Sequence, residues 1–267
     1  MNKKLKSLLF TLVIFSCFSG LVSAQIFPEL IDDRGDYLID DSKPTFVIVH
    51  GAWGGSWAFR DVEQRLRQKG YDVYRPSLTG LGERHHLAHK DVNLSTHLED
   101  VINAILFEEL EDIILVGHSY GGMVISGVAH RIPERIKKMI YIDAFVPDDG
   151  ESVESIQGEN FERFMAMEKN GFLIPGWVPA GQPFPHDVPH PLKAFTEPVT
   201  LGNEDAYRIP ATYIHAVEPG TDPEEGNFYR HAERARQHGW PVLIIDSDHN
   251  PQWSAPENLV EMLHQNW

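Results

Sequence analysis

Ser119 stands in the run Gly117-His118-Ser119-Tyr120-Gly121-Gly122, behind four apolar residues and ahead of Met123, Val124, Ile125 and Val128. A serine hydroxyl is a weak nucleophile until a base takes its proton, so chemistry at Ser119 requires a histidine partner. The spacing is GxSxG at a sharp turn from a buried strand into a helix. Glycines leave room there for a strained serine backbone and for closely packed neighbours. The same turn places the Tyr120 amide at a helix start, where a developing negative charge is favoured. No Gly-Lys-Ser/Thr follows, which argues against a phosphate-cradling loop.

His249 is the best base, because it follows the last apolar run (241–246) and precedes a helical segment, where a loop at the sheet edge reaches Ser119. A carboxylate must hold the imidazole and stabilise its cation. Asp222 and Glu218 both follow the run 211–216, and Asp143 closes the run 139–145. Asp222 is preferred, with Glu218 and Asp143 open as alternatives. A second oxyanion amide is expected after the run 45–50, in "HGAWGG", where Gly51, Gly54 and Gly55 keep the backbone accessible. The Ala52 amide is the first candidate and Trp53 the next, and His50 reads as structural. His85, His86 and His89 lie in the loop-like "GERHHLAHKD" with no second ligand group at a recognisable spacing, so they read as solvated histidines. No metal and no organic cofactor is implied.

The elements that must position these residues are short β-rich runs at 45–50, 73–75, 113–117, 139–145, 211–216 and 241–246, separated by amphipathic segments. Runs this apolar are buried on both faces, as in a parallel sheet, and their alternation with helices gives a doubly wound α/β fold. Thr96 with Glu99, and Ser254 with Glu257, have the spacing of capping boxes. The alternation lapses at 147–208, where one helix-like piece (152–169) sits among prolines and aromatics. Phe161, Phe164, Phe172, Trp177, Phe184 and Phe195 are costly to leave in water, so this insertion reads as a lid over the strand ends.

At the N-terminus Lys3, Lys4 and Lys6 precede an apolar run ending in Val22-Ser23-Ala24. This reads as a signal peptide over 1–24, and hence as export to the periplasm or the medium, with lipid attachment at Cys17 as the lesser alternative. Residues 25–43 read as an extension, 44–146 and 209–267 as the two parts of one core. Cys17, the single cysteine, leaves with the signal, so stability must come from packing. The net charge of −16 disfavours nucleic acid and anionic lipid, and no stable membrane insertion of the processed chain is expected. A homodimer stays open.

"FVIVHGAWGGSWAF", "PSLTGLGER", "LVGHSYGGMVI", "YIDAFVPDDGES", "LKAFTEPV" and "DSDHNPQWSAPENL" together resemble the α/β-hydrolase branch of plant methylesterases, hydroxynitrile lyases and bacterial esterases. The resemblance implies an α/β-hydrolase fold with Ser119 as nucleophile, His249 as base, and Ala52 and Tyr120 as oxyanion amides. It places the acid in the loop after the run 211–216, near Asp222. Lyases of one group carry a threonine where this chain has Gly51 and a lysine where it has Asn250, so the resemblance favours ester hydrolysis. The expected activity is a serine esterase acting on a small or medium carboxylic ester through an acyl-enzyme. The alternatives are a lactone hydrolase, acting for example on an acyl-homoserine lactone, then a hydroxynitrile lyase, then a ligand-binding protein without turnover on the same fold.

Overall fold

The computed structural model describes residues 43–267. The expected signal peptide, Cys17 and nearly all of the expected extension lie outside the described residues. Among the described residues, no helix is long and apolar enough to cross a membrane.

Strands β1 (Phe46–Val49), β2 (Val73–Tyr74), β3 (Ile113–His118) and β4 (Ile136–Ile142) come first. Three short ones, β5 (Glu168–Lys169), β6 (Phe172–Leu173) and β7 (His190–Pro191), lie in the insertion, and β8 (Ala211–Val217) and β9 (Val242–Asp246) complete the series. The main sheet runs β2-β1-β3-β4-β8-β9 with every pair parallel, and β5-β6-β7 form a separate antiparallel sheet. The doubly wound parallel sheet matches the expectation from the apolar runs.

Strand periodicity of two explains why both faces are apolar. Val47, Val49, Ile113, Leu115, Met139 and Tyr141 join one buried cluster, while Phe46, Ile48, Ile114, Val116, Ile140 and Ile142 join the other. The second cluster is closed by α1 (Arg60–Gln68), through Val62 and Leu66, and by the C-terminal helix through Leu259, Val260 and Leu263. The first is covered by α2 (Leu94–Phe107) and α3 (Gly121–Arg131). The chain leaves β1 outward to β2 and returns on the other side to β3. The order therefore reverses between β1 and β3, and a crevice opens at their carboxyl ends. "HGAWGG" follows β1 and Ser119 follows β3, so both flank this switch point.

Helix starts differ from the sequence expectation. α2 begins earlier, because the Asn93 side chain accepts from the Thr96 amide at 3.0 Å; Thr96 is the capped residue and not the cap. At the C-terminus α9 (Pro256–Gln265) starts after Ala255, and the Ser254 hydroxyl donates instead to Asp248 Oδ1 at 2.9 Å. The piece expected at 152–169 is split into α4 (Val153–Gln157) and α5 (Glu162–Met165), because Gly158 takes a φ of +53°. It then turns into β5. Later helices are α6 (Lys193–Thr196), α7 (Tyr229–Gln237) and α8 (Pro251–Ser254).

Gly122 shows how tightly α3 seats behind Ser119. A Cβ there would run into the Phe145 carbonyl oxygen and stand 2.9 Å from the Phe145 nitrogen, both fixed backbone atoms. Gly122→Ala is expected to cost about 3 kcal/mol, or roughly 6–12 °C in melting temperature. Gly202→Ala, which meets no neighbour, should stay within about 2 °C of the parent. Thermal unfolding followed by circular dichroism measures both.

Candidate active site

Ser119 takes a φ of +54°, a left-handed conformation that costs energy for a residue with a side chain. Its backbone is held on three sides: its amide donates to the Ile142 oxygen at 3.2 Å, and its oxygen accepts from Gly122 at 3.0 Å and Phe145 at 3.1 Å. The turn is that tight because Gly117 and Gly121 have no side chains. Added Cβ atoms would lie 2.7 Å from the Gly121 oxygen and 2.6 Å from the Val49 oxygen, respectively.

The Ser119 Oγ is 3.0 Å from His249 Nε2, and His249 Nδ1 is 2.7 Å from Asp143 Oδ2. Two rings pack against the imidazole. Phe228 stacks on it at 4.6 Å between centroids, and His118 lies 4.9 Å away on a tilted ring. His118 Nε2 donates to the His249 carbonyl at 2.8 Å, so it also holds the backbone of that loop. Burial, and next the adjacent His249, push the His118 pKa down to about 3, which keeps the ring neutral.

The preferred acid is not the one beside His249. Asp222 lies exposed at the start of a short 3-10 turn, where its carboxylate accepts from the Glu224 amide at 2.9 Å. Its own loop already uses the carboxylate as a cap. Glu218 is exposed and bends that loop through its carbonyl, which accepts from Thr221 at 3.0 Å. Asp143 instead sits at the end of β4 with a φ of +40° and is 4 % exposed. Its Oδ1 accepts from His215 Nδ1 at 3.1 Å and from the Ala216 amide at 3.3 Å. Burial alone would raise the Asp143 pKa, but hydrogen bonds from His215 and His249 outweigh it and hold the carboxyl below its usual range.

His215, in β8, was not singled out from the sequence. Its second nitrogen, Nε2, is 3.1 Å from the Pro223 carbonyl, so both ring nitrogens face acceptors. Only the protonated ring donates to both. Burial opposes that charge, yet the Asp143 and Pro223 bonds prevail and raise the His215 pKa. The sign of each linkage follows. Asp143 stabilises the fold above the ordinary carboxylate range and loses this as pH falls through its lowered pKa. His215 contributes below the ordinary histidine value and loses this as pH rises through its raised one. The pair is strongest between those limits.

Neither the Ala52 nor the Tyr120 amide donates to a protein acceptor among the described residues, and both residues line the same cavity as Ser119 and His249. The amide of Trp53, the second oxyanion candidate, is engaged elsewhere: it donates to His190 Nδ1 at 3.1 Å. His50 is 1 % exposed and fully used, with Nδ1 to the Gly51 oxygen at 2.8 Å and Nε2 accepting from Leu78 at 3.2 Å. His85 and His86 lie exposed in a 3-10 turn, where His85 packs on Phe184 at 5.0 Å.

The cavity measures about 790 Å³. Ala52, Trp53, Phe145, Phe164, Trp177, Phe195 and Phe228 make its apolar wall, and Asn160, Arg163, Asn227 and Arg230 add polar groups. Three of the insertion's six Phe and Trp residues, Phe164, Trp177 and Phe195, thus face the site, while Phe161 is buried among them and Phe184 remains exposed. Among the described residues six non-glycine residues take a positive φ, and three of them, Trp53, Ser119 and Asp143, belong to this site. Strain gathered this way marks a functional site.

Comparison with known proteins shows the family. Residues 46–262 match the alpha/beta hydrolase family. The carbendazim hydrolyzing esterase of Nocardioides sp. (strain SG-4G) is 35% identical over 242 residues, covering 82% of this chain and 97% of the relative. Methylesterase 1 of Arabidopsis thaliana is 29% identical over 252 residues, covering 81% and 93%. Among solved structures, an extracellular alpha/beta-hydrolase from a Paenibacillus species superposes with a TM-score of 0.69 at 24% identity, over 84% of this chain and 98% of its own.

Proposed function

We propose, from the premise that this chain belongs to the alpha/beta hydrolase family and is a carboxylic ester hydrolase, that it works through a Ser119 acyl-enzyme. Ser119 Oγ attacks the ester carbonyl as His249 Nε2 accepts its proton. Asp143 stabilises the resulting imidazolium through Nδ1. The Ala52 and Tyr120 amides receive the oxyanion, each contributing about 3 to 4 kcal/mol to the lowering of the barrier. His249 then gives the proton to the leaving alcohol, and water attacks the acyl group with His249 again as base. The observation that carries this reading is the unbroken chain from Ser119 Oγ through His249 to Asp143 Oδ2, at 3.0 and 2.7 Å.

The apolar wall supports an ester of small or medium size with an apolar or aryl part. Gly51 argues against cyanohydrin cleavage that uses a threonine at this position. A Cβ on it would stand 2.9 Å from His118 Nδ1 and 3.1 Å from the Ser119 Cβ, so a longer side chain lacks room. Initial rates on aryl acetates, methyl esters, acyl-homoserine lactones and mandelonitrile test the reading. Turnover of aryl or methyl esters is expected at kcat/KM at least about tenfold above the lactones, and mandelonitrile is not cleaved. Turnover of lactones alone, or of mandelonitrile, would displace it.

A further inference from the structure

The turn that presents the Ala52 amide is strained and is held from the insertion. The Gly54 amide donates to the Ala52 oxygen at 2.7 Å across Trp53, whose φ is +60°. This has the hydrogen bond and the sign of φ of the rarer, strained γ-turn, and a bulky residue at its centre persists only where its surroundings over-determine it. Three hydrogen bonds do so. Val188 donates to the Trp53 oxygen at 2.9 Å, Trp53 Nε1 donates to the Leu173 oxygen at 3.0 Å, and the Trp53 amide donates to His190 Nδ1 at 3.1 Å.

His190 is the one side chain among these acceptors, and it touches both halves of the oxyanion site. Its ring meets the Tyr120 ring edge-on at 5.0 Å between centroids, besides holding the peptide that follows Ala52. The residue is fully buried, and its Nε2 has no hydrogen-bond partner among the described residues. Because Nδ1 accepts from an amide, the ring proton must sit on that unpartnered Nε2. Burial also keeps the ring neutral by holding its pKa well below the ordinary value, so the acceptor lone pair is retained. A buried histidine that leaves one nitrogen unsatisfied to keep the other as an acceptor is poorly explained as packing alone.

We propose that His190 is a positioning residue: its Nδ1 accepts the Trp53 N–H, turns that amide away from the cavity, and so fixes the Ala52 amide in the orientation that receives the oxyanion. The inference rests on the Ser119 reading above. By this coupling the insertion completes the oxyanion site as well as covering it.

The test compares His190→Phe, which fills the space without an acceptor, with His190→Asn, whose side-chain oxygen replaces Nδ1. His190→Ala stands in if the phenylalanine variant does not fold. With an aryl acetate, His190→Phe should lower kcat by about 10- to 100-fold while KM moves less than about threefold. Affinity for a boronic acid, which places a tetrahedral oxygen in the oxyanion site, should weaken in parallel. His190→Asn should recover most of the loss in both. Equal loss in the two variants, loss confined to KM, or wild-type kcat in His190→Phe would overturn the proposal. Ser119→Ala is run beside them: if it hydrolyses the ester like the wild type, the underlying serine reading fails, whatever the His190 variants do.

Discussion

Asp143→Asn is expected to lower kcat by about 10⁴-fold, the order seen when the acid of such a triad becomes an amide, with little change in KM. The reason is the direction of one hydrogen bond. Asp143 Oδ2 accepts the Nδ1 proton of His249 at 2.7 Å and thereby leaves Nε2 free to take the Ser119 proton. An asparagine that turns its NH2 toward Nδ1 selects the opposite tautomer, and one that turns its oxygen there lacks the charge that steadies the imidazolium. Asp222→Asn and Glu218→Gln should remain within about twofold of wild type, because both carboxylates are exposed and neither is hydrogen-bonded to His249 among the described residues. Steady-state kinetics on one aryl ester, with circular dichroism to show that each variant is folded, separates the three carboxylates.

Removing the nucleophile or the base has a larger effect. Ser119→Ala and His249→Ala should each lower kcat by about 10⁶-fold, and the double variant should be no slower than either single one. Oγ and Nε2 are joined in one proton transfer at 3.0 Å, so either loss stops the same step. The residue of activity over water would come from the Ala52 and Tyr120 amides, which both variants keep. Additive losses would mean that Ser119 and His249 act in separate steps.

Much of the framework was legible in the sequence. The parallel sheet followed from six apolar runs, and the elbow from glycines whose places are now seen to be filled by backbone: Gly117 against Gly121, Gly121 against Val49, Gly122 against Phe145. Loop histidine His249 could be placed beside Ser119 because both follow parallel strands and so reach the same sheet edge. The acid could not be placed by that logic, since β4 and β8 end side by side and each offers a carboxylate. A cue was nonetheless present. Asp143 and His215 are polar residues in the mostly apolar runs 139–145 and 211–216, and a buried carboxylate must find donors. His215 supplies one, His249 another, and the Ala216 amide a third. The loop at 218–226 is richer in acids, but its carboxylates are exposed and that of Asp222 caps its own turn.

The side chains that grip the site were harder to foresee. His118 was read only as part of the elbow motif, and Phe228 and His190 drew no notice, because their partners are remote in sequence and depend on how loops meet. Trp53 shows the same limit. From sequence its amide ranks second to that of Ala52, and the contact with β7 is what engages it elsewhere.

The central claim is that Ser119 is the nucleophile, activated through His249 by Asp143. Labelling with a fluorophosphonate, followed by mass mapping of the peptides, tests it most directly. One adduct is predicted, on the peptide containing Ser119, absent in Ser119→Ala, slowed by about 10³-fold or more in Asp143→Asn and unchanged in Asp222→Asn. An adduct on another residue, or a rate that falls in Asp222→Asn and not in Asp143→Asn, would contradict it.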